Sequence, residues 1–495
     1  MRFAANYGTI CGMEEKRKIP YGVMNWAELV RECFVVDNPS KHGRDMTTRR
    51  SFIAGAAAFG ATGCAAPGVA QPGPMCSWRP GHFQIHMVYT GVAESLFLVF
   101  PDSTTMLLDC GDTNPHTFQA EKFGPMELPI LPSEERRAGE WVARYVERVS
   151  PRGRDVDYMV LSHFHGDHSG SFLDVAERRR DILPGGEECC MSGFMQAADT
   201  LRFARAIDRG WPDYDDPLPY PANPRWMGGS LTLMRQVYRR LAARDGLTVE
   251  KFRVGERDQI RMLHDAAAHP EFSVFNICGN GKVAMRDGSV CDVYGEEHGR
   301  HSECVYNENA MSLGNVFTYG RFRFFTAGDF TASDGRKGTW RGRALNIERI
   351  LAKACGPVDV AKANHHAAWA CPDDLVAALR PRVWLAPVWW RLQCDVKTMN
   401  RLASRESYPG DRMIVPGVMA AERRAADAGE PYLADVPEAV WTPSHVVVDV
   451  PPGGETFQMA CLDPADESLR VKAKWTFRQP ETGYNARQVT RRTKT

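Results

Sequence analysis

Apolar positions early in the chain recur with the period of β-strands. Phe83–Tyr89 alternates between apolar and polar residues, and Ser95–Phe100 is joined through a turn at Pro101–Ser103 to the apolar run Met106–Leu108. Alternation with a period of two, interrupted by turn residues, is typical of a hairpin. A further apolar run, Tyr158–Leu161, ends at a stretch rich in histidine. We therefore predict a series of short strands.

Helical spacing follows the first hairpin. Ser133 precedes two acidic residues, and apolar side chains recur three and four positions apart at Val142, Tyr145, Val146 and Val149. Serine is a favoured N-cap, and acidic side chains stabilise the first turn, so we predict a helix that opens at Ser133. Because strand, helix and strand follow one another, the fold class is α/β, a layered sandwich with functional residues at strand ends.

Later apolar runs extend this pattern. Phe322–Thr326 leads to Ala327-Gly328-Asp329, and Val358–Ala363 leads to a pair of histidines. Near the end of the chain, His445–Val450 and Phe457–Ala460 flank a Pro-Pro-Gly-Gly turn. These two runs predict a closing hairpin.

Residues 171–300 are predicted to form a long insertion, because they contain more chain than one helix and one strand require. They include Trp211–Pro221, which is rich in proline, aromatic and acidic residues, and the helix-like segment Leu231–Tyr238. A loop of this composition is either a substrate lid or a packed surface loop. Both interpretations stay open.

The stretch Ser162–Gly170 carries four potential metal ligands within six residues. His163 and His165 lie two apart, so both imidazoles can point the same way in an extended segment. Asp167 and His168 follow on the turn and can face a second position a few ångströms away. Imidazole and carboxylate ligands suit zinc, and also manganese or iron. The spacing predicts two adjacent divalent metal ions, with zinc favoured.

The charge balance argues against a nucleic-acid-binding protein. The sequence has 61 basic and 61 acidic residues, whereas nucleic-acid-binding domains usually have a basic excess. A small-molecule or phosphoester substrate is therefore favoured, and nucleic acid would require a local basic patch. With 43% hydrophobic residues the chain can bury a large core, so we expect one large catalytic domain. The oligomeric state stays open.

The N-terminal region contains a sequence typical of twin-arginine export. Arg49-Arg50 is followed by a short, weakly apolar run of small residues that ends near Cys64. We expect residues 46–80 to be signal and linker, with Met46 as the start, and a periplasmic or secreted protein. A buried alanine-rich helix is the alternative, and the glycines and prolines in and after the run disfavour it.

The ends of the chain carry three further expectations. Residues 1–45 are an N-terminal extension of uncertain status, and residues 466–495 are a C-terminal tail. Cys64 loosely resembles a lipoprotein acylation site, although the leucine expected three positions earlier is missing. No other apolar run approaches the ~20 residues that span a bilayer, so no transmembrane segment is predicted in the mature chain.

The pattern His-x-His-x-Asp-His at His163–His168 resembles the metal-binding signature of the metallo-β-lactamase superfamily. Other features of that family follow in the same order. They are the strands that end at Asp109, the Gly328-Asp329 pair after a strand, and the histidines His365-His366 after another strand. The resemblance covers about residues 80–460. It implies a four-layer αββα sandwich over residues 81–465.

Within the superfamily the chain is most similar to the metallo-hydrolase domain of competence DNA-uptake channel proteins and to related secreted phosphodiesterase-like hydrolases. Asn307–Leu313 and the Lys-x-x-His-His motif at Lys362–His366 carry this similarity. Two segments depart from it. Ala367-Ala368 stands where relatives usually have Gly-Ser, and Gly91–Glu94 stands where they commonly have a Gly-Gln-Gly-Asp-like turn. Both departures touch loops that face the substrate in the relatives.

The resemblance also implies roles for the site residues. His163 and His165 would bind the first metal, Asp167 and His168 the second, and Asp329 would bridge the two. The last ligand of the second metal would be His366, with His365 as the alternative or as the proton donor to the leaving group. We therefore assign catalytic roles to Asp167, Asp329 and His365.

Two supporting residues and one missing ligand complete this assignment. Asp109 would orient a ligand imidazole, and Lys362 would either neutralise a phosphate or lie on the sheet edge. Relatives with a full ligand set have one more histidine between the first loop and the bridging aspartate. The available residues are His264, His269, His298 and His301, and none follows a suitable strand.

The implied function is a metal-dependent hydrolase that uses a metal-bridging hydroxide. Divalent metals lower the pKa of bound water from ~15.7 towards 7, which makes hydroxide available at neutral pH. The similarity to competence proteins favours a phosphodiester or related phosphoester as substrate. A β-lactam or lactone hydrolase, an iron-dependent oxidoreductase on the same fold, and a metal-stabilised binding protein are the alternatives.

Overall fold

The computed structural model describes residues 7–8, 19–20, 75–113, 128–171, 180–183, 186–217, 220, 230–293, 308–331, 347–391 and 393–479. The chain divides into two compact units, and the larger comprises Val69–Phe118 and Pro125–Thr495. In the smaller unit, Tyr7–Gly8 (β1) pairs antiparallel with Ile19–Pro20 (β2). The predicted export signal, Cys64, His298 and His301 lie outside the described residues.

The larger unit is rich in strands. In chain order they are β3 (Phe83–Met87), β4 (Ser95–Val99), β5 (Thr105–Cys110), β6 (Asp155–Val160), β7 (Arg180–Ile182), β8 (Glu188–Cys190), β9 (Arg202–Asp208), β10 (Thr248–Lys251), β11 (Phe272–Gly279), β12 (Lys282–Ala284), β13 (Val290–Asp292), β14 (Gly314–Tyr319), β15 (Phe322–Thr326), β16 (Val360–Lys362), β17 (Val383–Ala386), β18 (Met413–Pro416), β19 (His445–Val450), β20 (Thr456–Leu462) and β21 (Val471–Arg478).

Helices separate many of these strands. The α-helices are α1 (Ala138–Val149), α2 (Gly166–Ser169), α3 (Phe194–Thr200), α4 (Ser230–Asp245), α5 (Ile347–Ala354), α6 (Asp373–Leu379), α7 (Val396–Ala403) and α8 (Ala421–Ala426). Short 3-10 helices span Ala266–Ala268, Glu308–Met311, Asn364–Ala367, Pro431–Asp435 and Glu438–Val440. Among the described residues, none of the helices is long and apolar enough to cross a membrane.

The strands form two large sheets. The first has nine strands in the order β10-β9-β6-β5-β4-β3-β19-β20-β21, and the second has eight in the order β13-β12-β11-β14-β15-β16-β17-β18. Strands β5, β6, β9 and β10 run parallel, as do β15, β16, β17 and β18. The carboxyl ends of parallel neighbours meet at one sheet edge. Residues that follow β5 and β6, or β15 and β16, are therefore brought together.

The two sheets pack face to face through aromatic and aliphatic side chains. The ring of Phe83 in β3 lies 5.2 Å from that of Phe272 in β11 and 5.8 Å from that of Phe317 in β14, measured between ring centroids. These side chains are buried, and burial of apolar surface is the main stabilising contribution to such a core. One continuous core thus joins the sheets.

Helices cover the outer faces of both sheets. Helices α1, α3 and α4 bury apolar side chains such as Val142 and Phe194 against Met159 of the first sheet. Helices α5, α6 and α7 bury side chains such as Leu351 and Met399 in the core of the second sheet. This order of layers confirms the predicted α/β class and the four-layer αββα sandwich.

The hairpins predicted from alternation are confirmed. Strands β3, β4 and β5 pair antiparallel, and β19 pairs with β20 across the Pro-Pro-Gly-Gly turn. The helix predicted around Leu231–Tyr238 is α4. The predicted opening of α1 at Ser133 is wrong, because the helix begins at Ala138 with Arg137 as its N-cap. The Ser133 carbonyl instead accepts a hydrogen bond from the Trp141 indole, at 2.8 Å.

The structure differs from the predicted insertion at residues 171–300. This segment supplies β9 and β10 to the first sheet and β11, β12 and β13 to the second. Arg202 and Arg205 interrupt the apolar pattern of β9, so the alternation of apolar and polar residues did not predict this strand. The predicted tail also contributes a strand, since β21 pairs with β20 beyond residue 465.

Candidate metal centre

The histidine-rich loop begins where β6 ends, next to the end of β5. Asp109 in β5 accepts hydrogen bonds from the Ser162 backbone N–H and hydroxyl, both at 2.7 Å. Its Oδ2 also lies 2.8 Å from Nδ1 of His168. A carboxylate that accepts an imidazole N–H fixes the tautomer and the ring orientation. Asp109 therefore holds the start of the loop and directs Nε2 of His168 away from β5.

A buried ion pair supports the other side of the loop. Glu308 accepts a hydrogen bond from the Phe164 backbone N–H at 2.9 Å and pairs with Arg209 at 2.7 Å. Both charged side chains are fully buried, so each requires the other. The sequence analysis assigned no role to either residue, because Arg209 and Glu308 lie far apart in the chain, although Glu308 belongs to the Asn307–Leu313 segment that carries the resemblance.

Asp329 enters the site from the second sheet, three residues after β15. Gly328 has a φ of +52°, and a Cβ there would lie 2.8 Å from Cβ of Ser312, so only glycine fits this turn. The Asp329 backbone N–H donates to the Ser312 hydroxyl at 3.0 Å. This turn places Oδ2 of Asp329 3.0 Å from Nε2 of His168.

His366 lies on the 3-10 segment after β16, where the backbone is left-handed. The φ angles of His365, His366 and Ala367 are 48°, 55° and 58°. Nδ1 of His366 lies 2.9 Å from the Pro387 carbonyl, so it carries a proton and donates. Nε2 then faces the site, 3.0 Å from Asp329 Oδ2 and 3.1 Å from Asp167 Oδ2.

The left-handed segment is held by the buried carboxylate of Glu348 in α5. Oε1 of Glu348 accepts hydrogen bonds from the Asn364 side chain at 2.8 Å and the Cys371 backbone at 2.9 Å. Burial raises the pKa of Glu348 to about 7, although these two hydrogen bonds oppose the shift. Glu348 thus ties helix α5 to the segment that carries the paired histidines.

Four buried residues form a compact acidic cluster: Glu94, His168, Asp329 and His366. One ligand atom from each lies within 4.8 Å of the others, as in a metal-binding group. Asp167 adjoins this cluster, with Oδ2 3.7 Å from Nε2 of His168. Residues from both sheets therefore converge at one point.

Glu94 is a cluster residue that the sequence analysis missed. It stands at the acidic position of the turn Gly91–Glu94, the position of the aspartate in the Gly-Gln-Gly-Asp-like turn of the relatives. That correspondence was the available signal, but the turn was taken as a departure. Its backbone N–H donates to the Asp167 carbonyl at 2.9 Å, which also fastens the histidine loop.

Lys362 is fully buried behind the cluster. Its ammonium lies 3.0 Å from Oε1 of Glu94, 3.4 Å from Oδ1 of Asp329 and 2.7 Å from the Gly328 carbonyl. An ammonium has three N–H donors, and these three acceptors account for them. Lys362 therefore neutralises the cluster from behind, and the structure does not favour its alternative role as a phosphate ligand.

His163 and His165 form a separate pair beside the acidic cluster. Nε2 of His163 lies 3.0 Å from Nδ1 of His165, and the ring of His163 lies 4.2 Å from that of His168. Burial and the neighbouring cationic groups lower the pKa of His163 well below its usual value, and burial also lowers the pKa of His165. Both imidazoles are therefore neutral, which is the form that binds metals.

The remaining predicted histidines, as far as the structure describes them, are not members of the acidic cluster. Nδ1 of His365 lies 2.6 Å from the Ala368 carbonyl, and its ring contacts that of Trp369 with centroids 5.7 Å apart. His264 pairs with Asp157 near the amino end of β6, at 3.1 Å. His269 contacts the ring of Tyr319. Neither His264 nor His269 is brought to the histidine pair.

The pKa values of the imidazoles and the carboxyl groups in and beside the acidic cluster shift in opposite directions. Burial opposes charge on His168 and His366, but the surrounding carboxylates outweigh it and raise the pKa of both imidazoles well above the usual value. Burial likewise opposes charge on Asp329 and Asp167, but these imidazoles lower the pKa of both carboxyl groups. Protons here occupy the place that a cation would take.

The donor set fits a divalent metal ion. His168 and His366 each have Nδ1 bonded to an oxygen acceptor, so Nε2 of both rings faces the carboxylates of Asp167 and Asp329. Imidazole nitrogen with carboxylate oxygen is the ligand combination of zinc, manganese and iron sites. The residues that could hold a cation are therefore Glu94, Asp167, His168, Asp329 and His366, with His163 and His165 beside them.

Comparison with known proteins finds a matching family model and a similar solved structure. Residues 89–240 match the family model described as the metallo-β-lactamase superfamily. A solved structure described as a metal-dependent hydrolase of the β-lactamase superfamily is similar at 12% identity, with 67% of this chain and 95% of that chain covered and a TM-score of 0.29. No protein of curated function matches the sequence. The residues that match the family model include the whole histidine loop.

Proposed function

We propose that this chain is a metal-dependent hydrolase of the metallo-β-lactamase superfamily, and that it hydrolyses a phosphodiester or a related phosphoester with two divalent metal ions. The match of residues 89–240 to the model of that family supports the proposal. The observation that carries this proposal is the convergence of the histidine pair and the acidic cluster at one buried point between the sheets. Zinc is the favoured metal.

The proposed ligands divide into two groups. His163 and His165 would hold one ion, and Asp167, His168 and His366 the other, with Asp329 between them. Divalent ions would lower the pKa of bound water and would neutralise negative charge that develops on a phosphoryl group. Glu94 and Lys362 balance the charge behind Asp329.

The residues around the ligands have roles of their own. Asp109 and the Pro387 carbonyl keep Nδ1 of His168 and His366 protonated, so that both rings present Nε2 to the site. His365 is proposed to hold the proton for the leaving group. Its ring lies beside that of His366, with centroids 5.9 Å apart, and its Nδ1 is oriented by the Ala368 carbonyl.

The choice of a phosphoester rests on the similarity of Lys362–His366 to the motif of the competence proteins. It is tested with zinc-loaded and manganese-loaded protein on a phosphodiester, a phosphomonoester, a β-lactam and a lactone. We expect turnover of the phosphodiester only, and its loss when Asp167 and Asp329 are both changed to asparagine. Turnover confined to the β-lactam or lactone would contradict the choice of substrate.

Metal content separates hydrolysis from redox chemistry. We expect protein purified without air to contain zinc or manganese. Stoichiometric iron with neither of these metals would instead favour the oxidoreductase. Metal-loaded protein whose activity survives loss of both Asp167 and Asp329 would contradict the catalytic assignment altogether.

The twin-arginine sequence supports a proposal about location. We propose that the protein is exported folded, with its metals already bound. Changing Arg49 and Arg50 together to lysine should leave folded, metal-loaded protein in the cytoplasm. Continued export of that double variant would contradict the proposal.

A further inference from the structure

Trp389 contacts the centre directly, although no motif contains it. Its indole Nε1 donates a hydrogen bond to Nε2 of His366, with 3.3 Å between the two nitrogens. The two rings are nearly perpendicular, at 88°, so the indole edge points at the imidazole edge. Trp389 is buried, and its ring also stacks on that of Trp390, with centroids 6.5 Å apart.

The acceptor of this hydrogen bond is the nitrogen that the proposed function assigns to a metal ion. Metal binding requires the neutral His366 ring, and because its Nδ1 donates to the Pro387 carbonyl, Nε2 of that ring has one lone pair to offer. That lone pair can accept the indole N–H or bind a cation, but not both. When His366 acts as a ligand, the buried indole N–H therefore needs another acceptor, since an unpaired buried donor is costly.

We propose that the indole N–H of Trp389 binds an anionic oxygen of the substrate beside His366. This inference rests on the proposed function, which supplies an anionic phosphoryl group at that position. An indole is a donor only, so it favours an oxyanion over a group that presents hydrogen. Trp389 would then be a binding and catalytic residue, with its donor aimed at the position where negative charge collects.

A second acceptor within the protein competes with this assignment. Oδ2 of Asp167 lies 3.1 Å from Nε2 of His366, close to the present acceptor of the indole. If the indole turned to Asp167 it would position a metal ligand, and its loss would weaken metal binding. If it binds the substrate oxygen, its loss weakens anion binding and leaves metal binding equal or stronger, because a competitor for His366 is gone.

The test compares Trp389→Phe with Trp384→Phe. Trp384 in β17 is also buried, and its indole donates to the Tyr408 hydroxyl at 3.1 Å, so both variants lose one buried indole hydrogen bond and keep an aromatic ring. Zinc content, zinc affinity and thermal unfolding are measured for the full-length wild-type protein and both variants. Binding of orthophosphate and of acetate to the zinc-loaded proteins is then measured by calorimetry.

We expect Trp389→Phe to weaken binding of both anions by about tenfold or more, the usual effect of one hydrogen bond to a charged group, with zinc affinity unchanged or raised. Trp384→Phe should change anion binding by less than about twofold. Equal anion binding by the two variants, or a parallel loss of zinc, would overturn the inference, as would wild-type protein that binds neither anion. If the wild-type protein binds acetate but not orthophosphate, and Trp389→Phe weakens acetate binding, the anion-binding role of Trp389 is supported and the phosphoester substrate is contradicted.

Discussion

The histidine pair and the acidic cluster lie side by side, yet they prepare for a cation in different ways. His163 and His165 are neutral imidazoles that face each other at 3.0 Å, and burial lowers the pKa of both. His168 and His366 are surrounded by carboxylates that raise the pKa of both imidazoles. The pair offers nitrogen ligands without charge, and the cluster offers negative charge that protons compensate.

This difference implies that the two halves respond differently to pH. Neutral imidazoles bind a cation without first losing protons, but they provide no charge to hold it. The cluster must release protons, and it then presents carboxylates of opposite charge at short range. We therefore expect the metal affinity of the cluster to rise with pH, and the metal affinity of the pair to depend less on pH.

The largest expected effect follows from removing Asp329, the residue proposed to bridge the two halves. Asp329→Ala should lower bound metal to well below one ion per chain, and activity by about a thousandfold, because its carboxylate lies against His168, His366 and Lys362. His163→Ala should retain the ion of the cluster. Its loss of activity should be smaller than that of Asp329→Ala by a factor of at least about ten. Elemental analysis with steady-state kinetics measures both. Equal metal loss in the two variants would remove the distinction between the halves.

His365 and His366, which follow β16 of the second sheet, are expected to differ in their effect on metal content. His366→Ala should release the ion of the cluster, because its Nε2 lies about 3 Å from two carboxylates. His365→Ala should retain metal and slow turnover by about a hundredfold, the usual range for loss of a proton donor. Metal analysis of the two variants decides. Metal loss in His365→Ala alone would exchange their roles.

Glu348 offers a test that depends on pH. Its pKa is raised from 4.5 to about 7 in the folded protein, so the unfolded chain loses this proton first as pH rises. The free energy of unfolding should therefore fall between about pH 4.5 and 7, by up to about 3 kcal/mol from this group. Glu348→Gln keeps an oxygen acceptor for Asn364 and Cys371 and should remove this decline.

Urea unfolding at pH 5 and pH 8 measures that change. The two proteins should be nearly equally stable at pH 5, and the variant should be the more stable at pH 8. The matched control is Glu467→Gln, which removes a partly exposed carboxylate paired with Arg144 and should leave the decline in place. An unchanged decline in Glu348→Gln would show that this carboxyl group titrates normally.

The smallest expected effect concerns the charge behind the cluster. Glu94→Gln removes one of the two carboxylates that pair with buried Lys362, so the ammonium draws more strongly on Asp329. Metal affinity should fall about tenfold, which is at the low end of the losses seen when a residue that supports a metal ligand is changed, and the fold should be retained. Competition with a chelator measures the affinity. No change would place Glu94 outside the centre.

The two halves also differ in how much the sequence could predict. His163, His165, Asp167 and His168 are neighbours in the chain, so their spacing alone indicates a common site. A single loop after a strand brings them together, and no long-range folding information is needed. The same locality made the hairpins predictable, because alternation and turn residues are both short-range signals.

The other half depends on packing between distant segments. Glu94, Asp329 and His366 meet because β4 begins, and β15 and β16 end, at one place between two sheets. Pairing of parallel strands leaves no local mark in the sequence. For the same reason β9 was assigned outside the core, since it pairs parallel with β6 and β10. Strand β21 is different, because it forms a local antiparallel pair with β20, and its assignment to the tail was a missed hairpin.

The left-handed backbone at His365–Ala367 has a consequence for motion. Each of these residues adopts a conformation that costs about 1 kcal/mol or more outside glycine, so the segment stores elastic energy. Hydrogen bonds from Cys371 to Glu348 and from Trp369 to Asp395 restrain it. Loss of these restraints together would release that energy, so we expect the segment to open there and His366 to leave its partners. Glycine at position 367 would relieve part of the energy, so Ala367→Gly should lengthen the lifetime of the closed form.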